Sequence, residues 1–245
     1  MDPAAEQQAF RQREPSKLGR GIERLTHPLG KSLASVIPKK LVERAIKAID
    51  ETTARPALTE FDHDTSDLTA SRKAAARVER AARAINGSTG AAAGLGGAWT
   101  MGADIPATIG IAMRNIRDTG RAYGFEGAGE DEQVFRLKIL ELAATNEPEA
   151  RERLIDTLED AIAEDGALKA AAPGTIEPLV DQAVERVSRA IAFASVRGRL
   201  GMLVPIAGSL VGAAVNTAFQ KDVAETARFA FTARHAKAHG DLIEG

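Results

Sequence analysis

The stretch HAKAH sets His235 and His239 four residues apart. On a helix that spacing puts two imidazoles on one face, as a pair of metal ligands requires. Metalloprotease helices place an acidic general base beside the first histidine, and Ala236 stands there instead. The pair sits in a basic tail, so a solvated helix end is the expectation. Asp62, His63 and Asp64 form a second candidate cation site, in a loop where acidic residues are as a rule simply hydrated. The Gly-rich run GSTGAAAGLGG (87–97) has the outline of a phosphate loop. It lacks the lysine that must follow the last glycine, since no lysine lies between Lys73 and Lys138. Trp99 occupies the position of the third glycine of a dinucleotide fingerprint. Neither serine nor tyrosine sits in the context of an activated nucleophile. A metal-dependent enzyme built on His235, His239 and a remote carboxylate therefore ranks third among the function classes, and no cofactor is implied.

One carboxylate, Asp104, lies in an otherwise uncharged run from Ala84 to Met113. A lone charge among apolar residues can be a proton or ion site in a membrane. Its place two residues before Pro106 suits an N-cap, opening a helix that runs to about Tyr123 and ends at Gly124. The N-cap is the expectation. Asn115 and Asn216 hold similar places in two such uncharged runs and are expected to hydrogen-bond between helices.

The elements that would position these residues read as helices throughout. Aromatics make up only 4% of the chain, and no stretch alternates with period two for long. Residues 1–15 read as a polar, mobile arm, 16–240 as one helical domain and 241–245 as a tail. Pro38 opens a helix with Leu41, Val42, Ala45, Ile46 and Ile49 on one side. Ser66 or Asp67 caps the next, with Val78, Ala82 and Ile85 inward. Helices follow over 131–144, 147–165, 176–197 and 211–235. The last repeats Val211, Val215, Phe219, Val223, Ala227 and Phe231 every four residues. The fold class is all-α, a helical bundle.

Formal charge is −2, which argues against nucleic acid as a partner. The absence of cysteine and of an apolar leader fits a cytoplasmic address. Charge is nonetheless uneven: residues 1–47 carry ten bases and five acids, and 130–165 carry twelve acids and four bases. Two apolar units stand out, 84–113 and 200–220, the latter reading LGMLVPIAGSLVGAAVNTAFQ. Gly90, Gly94, Ala98 and Gly102 recur every four residues in the first, and Gly208 and Gly212 in the second, a pattern that lets helix backbones approach closely. Basic residues border both units on both sides: five between 72 and 83, then Arg114, Arg117 and Arg121, four arginines over 186–199, then Lys221 and Arg228. A simple span is disfavoured. The apolar side chains of 200–220 supply roughly −2.5 to −5 kcal/mol for insertion, which Pro205, Asn216 and Gln220 erode. Two readings remain. In one, each unit is a short hairpin bent at its Gly/Pro centre that enters half a bilayer, with basic shoulders on anionic headgroups. In the other, both units are the dry centre of a soluble bundle.

The blocks GGAWTMGADIPATIGIAMRNIRDTGRAYGF (96–125) and GMLVPIAGSLVGAAVNTAFQKDVAETARFAF (201–231) resemble the bacterial EcsC family. The likeness rests on the Gly-rich stretch, on Asp104, Ile105 and Pro106, on Tyr123 and Gly124, and on Pro205, Gly208 and Asn216. It implies location and company more than a reaction. The expected protein is a cytoplasmic helical scaffold, peripheral to the inner membrane and accessory to a transport or envelope process. Its partner would be an anionic membrane surface, a membrane protein, or both. The alternative is a wholly soluble interaction module.

Overall fold

The computed structural model describes residues 3–13, 44, 47–49, 55–94, 101–145, 147–186 and 205–240, with 86–94, 101–105 and 205–216 described by their backbone alone. Its helices are α1 (Pro3–Arg11), α2 (Leu68–Gly94), α3 (Met101–Ala122), α4 (Glu130–Ala143), α5 (Pro148–Asp160), α6 (helical over 176–186) and α7 (Pro205–His239). No strand occurs among the described residues, and the all-α expectation holds.

The centre is a three-helix unit in which α7 packs along α2 and α3, while α4 and α5 close one side. Spacings of three and four residues bury one face of each helix. Val78 and Ala82 come from α2, Ile109, Met113 and Ile116 from α3, and Val223, Ala227 and Phe231 from α7. Cross-contacts fix the directions. Asn115 Nδ2 donates to Gln220 Oε1 at 3.3 Å, and Tyr123 meets Thr232 further along, so α3 and α7 run parallel. Glu79 pairs with Arg228 and the Thr65 carbonyl meets His235, so α2 runs against α7.

The ends of the elements follow local chemistry. Asp67 Oδ1 accepts from the N–H of Thr69 and Ala70, which settles the cap of α2 on Asp67. Helix α3 ends in a Schellman motif. The Phe125 N–H reaches the Gly120 carbonyl at 2.9 Å, and the Gly124 N–H reaches that of Arg121 at 3.0 Å. Gly124 sits at φ +84°, the left-handed conformation that closes such a motif. Proline has no amide proton to lose at a helix start, and α7 begins at Pro205.

Several expectations are corrected. The supposed arm is helical over Pro3–Arg11, because Phe10 stacks on Phe229 with ring centroids 4.3 Å apart and Arg11 and Arg13 pair with acids of α5 and α7. Asp104 does not cap α3, which starts at Met101 and carries Pro106 inside it. The second apolar unit is no hairpin over its described part, since α7 passes unbroken through Gly208 and Gly212. Ile85 is 38% exposed rather than inward. Helix α5 stops at Asp160, after which an isolated bridge between Ile162 and Leu168 turns the chain around Gly166. In the 176–197 helix Val180 and Val184 are buried, while the positions beyond 186 lie outside the described residues, as does most of the helix expected after Pro38.

Gly124→Ala is expected to lower stability by about 1–2 kcal/mol in urea unfolding. The left-handed φ disfavours a side chain, and a Cβ would stand 3.0 Å from the Thr65 hydroxyl.

Candidate functional site

The parallel register of α3 and α7 and the antiparallel run of α2 divide the sequence-predicted residues between the two ends of the bundle. Carried back along both helices, the Asn115–Gln220 pairing brings Asp104, Ile105 and Pro106 level with Gly208 and Gly212. Pro205 and Asn216 lie in the same part of α7, and the C-terminal half of α2 reaches the same end. In the sequence of these three helix segments, 84–94, 101–113 and 205–219, Asp104 is the only charged residue. The described parts of the two apolar units thus share one pole of the bundle. Trp99 lies outside the described residues, and the side chains of Asp104, Ile105, Gly208, Gly212 and Asn216 lie among those described by backbone alone. Pro106 is buried.

Tyr123, Gly124, His235 and His239 gather at the opposite end. The Tyr123 hydroxyl and Thr232 Oγ1 share a hydrogen bond of 3.1 Å inside the core. Burial pushes the Tyr123 phenol above its ordinary range, and the Thr232 hydrogen bond opposes this only in part. His235 is fully buried, which corrects the solvated-end expectation. Its Nε2 donates to the Thr65 carbonyl at 2.9 Å, and its ring stacks on His239 at 4.1 Å. His239 Nδ1 turns back to the His235 carbonyl at 3.0 Å. The two imidazoles therefore lie face to face and do not converge on a shared point. His63 Nε2 donates to the Ala122 carbonyl at 2.9 Å, and Asp64 accepts from Ser66. Among the described residues no three His, Asp or Glu side chains are placed to hold a metal ion.

Between the two ends runs a polar seam that sequence reasoning found only in part. Asn115 bonds across to α7 as expected, to the side chain and carbonyl of Gln220. Gln220 Nε2 reaches the Thr108 carbonyl at 3.4 Å, and the Thr119 hydroxyl lies 3.5 Å from Asn115 Oδ1. All four side chains are buried.

A second missed feature is a buried charge hub on α3. Asp118 is fully buried and accepts from Arg117 Nε at 2.8 Å and from the Leu58 N–H at 2.7 Å. Arg117, itself 3% exposed, also reaches the Arg55 carbonyl, and Arg114 donates twice to the Pro56 carbonyl. These arginines hold the 55–58 loop in place and are not free shoulders of the first unit. Their spacing, 114, 117, 118 and 121, is that of an inward helix face, and that was the signal available. Glu132 makes a similar hub with Arg234 at 2.7 Å and Arg136 at 3.7 Å, where Arg234 also covers the Phe125 ring at 4.0 Å. Arg186, at the head of the second unit's basic shoulder, pairs with Glu141 of the acidic middle at 3.0 Å.

Among the described residues no helix is long and apolar enough to cross a membrane. The sequence model of the EcsC protein family matches residues 5–235. A protein described as uncharacterized YdbA, from Bacillus subtilis (strain 168), is 27% identical over 206 residues, covering 83% of this chain and 68% of its own. No solved structure matches the chain.

Asp118→Ala strands the buried Arg117 guanidinium and is expected to cost about 3–5 kcal/mol in chemical unfolding. Arg121→Gln, on a partly exposed cation 3.7 Å from Asp118, should change stability by no more than about 0.5 kcal/mol. Tyr123 is the sole tyrosine, so its phenolate absorbance reads one group. The midpoint should fall above the usual value of about 10. The fold then holds that proton more tightly than the unfolded chain does. Stability should be intact below about pH 10 and fall as pH climbs through the raised midpoint, a loss that Tyr123→Phe removes.

Proposed function

The chain belongs to the EcsC family, and we propose that within it this protein is a peripheral membrane accessory, a helical scaffold that seats its apolar pole in the interfacial layer of an anionic bilayer. It would act at the cytoplasmic face of the inner membrane of a bacterium, beside a membrane protein engaged in a transport or envelope process. The observation that carries this reading is the register. Parallel α3 and α7, with α2 running against them, bring three nearly uncharged helix segments to one end of an otherwise highly charged molecule. Large contiguous apolar surface on one side of a chain favours a lipid or protein contact there. Seating at the interface requires no helix to span the bilayer.

One observation favours a wholly soluble interaction module instead. Arg114 and Arg117, which sequence reasoning set beside the first unit as headgroup anchors, are spent on loop carbonyls and on Asp118. The same pole would then be dry core or a protein interface.

Trp99 is the only tryptophan and belongs to the first unit, so its emission separates the two readings without mutagenesis. With vesicles of phosphatidylglycerol and brominated phosphatidylcholine, membrane seating should quench Trp99 strongly, and added salt should weaken the quenching. Unquenched emission that is already blue-shifted in buffer would support the soluble module.

A further inference from the structure

The basic shoulders differ in how far the fold has already used them. On α3, Arg117 and Arg114 are tied to Asp118 and to the 55–56 carbonyls. On α7, Lys221 pairs with Glu225 at 3.5 Å and Arg228 with Glu79. On α2, Arg83 turns to Glu79 and Arg72 to Glu6. What remains among the described residues of these shoulders is a row on the outer side of α2: Thr69, Lys73, Arg77, Arg80 and Ala84, all exposed, at steps of three and four residues. Lys73 and Arg77 make no hydrogen bond or ion pair among the described residues, and Arg80 donates only to the Ala76 carbonyl of its own helix. The row contains no acid, because Glu79 faces inward toward Arg83 and Arg228. It ends beside Ile85, the exposed large hydrophobic residue among those described, and then enters the apolar pole.

From this arrangement we propose that the outer face of α2 is the headgroup-contacting surface, with Lys73, Arg77 and Arg80 on the phosphates of an anionic bilayer and Ile85 below them. The inference rests on the membrane reading above and adds an orientation to it. From Thr69 to Ala84 the row spans about 22 Å of helix. A row of that length meets a flat surface only if α2 lies along it. The bundle therefore rests on its side, with the pole entering obliquely, and does not stand upright on the pole. Charge complementarity selects lipid as the occupant. Three cations that the acids among the described residues leave unanswered suit a plane of phosphates, and the adjoining apolar segment suits the acyl boundary.

The test uses the full chain, which carries no cysteine, so each introduced cysteine is unique. Binding to vesicles of equal parts phosphatidylglycerol and phosphatidylcholine is measured by sedimentation for the wild type and for K73Q/R77Q/R80Q. Each cation at an anionic surface is worth about a fivefold change, so the triple variant should bind roughly a hundredfold more weakly. R153Q/K169Q, which neutralises two exposed cations of α5 and the following loop, should stay within about twofold of wild type. An environment-sensitive fluorophore on T69C and another on A84C should both shift to the blue on binding. If the triple variant binds as tightly as wild type, or if only the Ala84 label responds, the side-on surface is wrong while the membrane reading stands. If wild-type protein shows neither sedimentation with vesicles nor Trp99 quenching, both fall together.

Discussion

The buried polar seam between α3 and α7 is the constraint on which the rest of this structure depends. Two alanine-rich helices could slide past each other by a turn at little apolar cost, because small side chains make shallow ridges. Asn115 and Gln220 make such a slide expensive, since it would part the buried Asn115 amide from Gln220 and the Gln220 amide from the Thr108 carbonyl. The seam thus sets register as well as adding stability. Register in turn decides that the uncharged half of α3 lies beside the uncharged half of α7. With Tyr123 and Thr232 repeating the lock further along, the molecule acquires an apolar pole and a polar end.

Charge is distributed by the same logic. The chain is rich in arginine, and several of the described arginines are internal fasteners. Arg117 ties α3 to the 55–58 loop, Arg234 ties α7 to α4 and to the turn at Gly166, and Arg186 ties α6 to α4. A planar guanidinium can serve a carboxylate, a carbonyl and an aromatic face at once, as Arg234 does with Glu132, Gly166 and Phe125. Outside these pairs a short basic row lies on the outer side of α2, and among the described residues Glu130 of α4 and Glu149, Glu152, Asp156 and Asp160 of α5 are exposed acids.

Much of this was legible in the sequence. Helix class, a cap at Ser66 or Asp67, the Gly124 stop and the inward Val223, Ala227 and Phe231 of α7 follow from spacing and turn chemistry, which are local properties. The apolar units and their family likeness were also visible, because blocks of composition survive without knowledge of the fold. What spacing could not supply was partnership at a distance. Asn115 reads as interhelical glue from its place in the helix, but nothing local points to Gln220 as its partner. The helix of residues 3–11 is hidden from local reading because its packing depends on Phe229, far along the chain. His235 was misread because its burial depends on the 65 loop folding over it. Pro106 and Asp104 misled in the opposite direction: a cap signal was present, and α3 begins before it.

The docking of α1 has a consequence in time. Gln7 bonds to the Phe229 carbonyl, a partner 222 positions away, and Phe10 stacks on the ring of that same residue. At 5–20 residues per second, on the order of ten to forty seconds of synthesis separate the first helix from its landing place. Through that interval α2 and α3 can pair, while Phe10 has no ring to stack on. Helix α1 can thus dock only once α7 has been made, and a nascent chain stalled before α7 would present an open seam and an undocked α1 together.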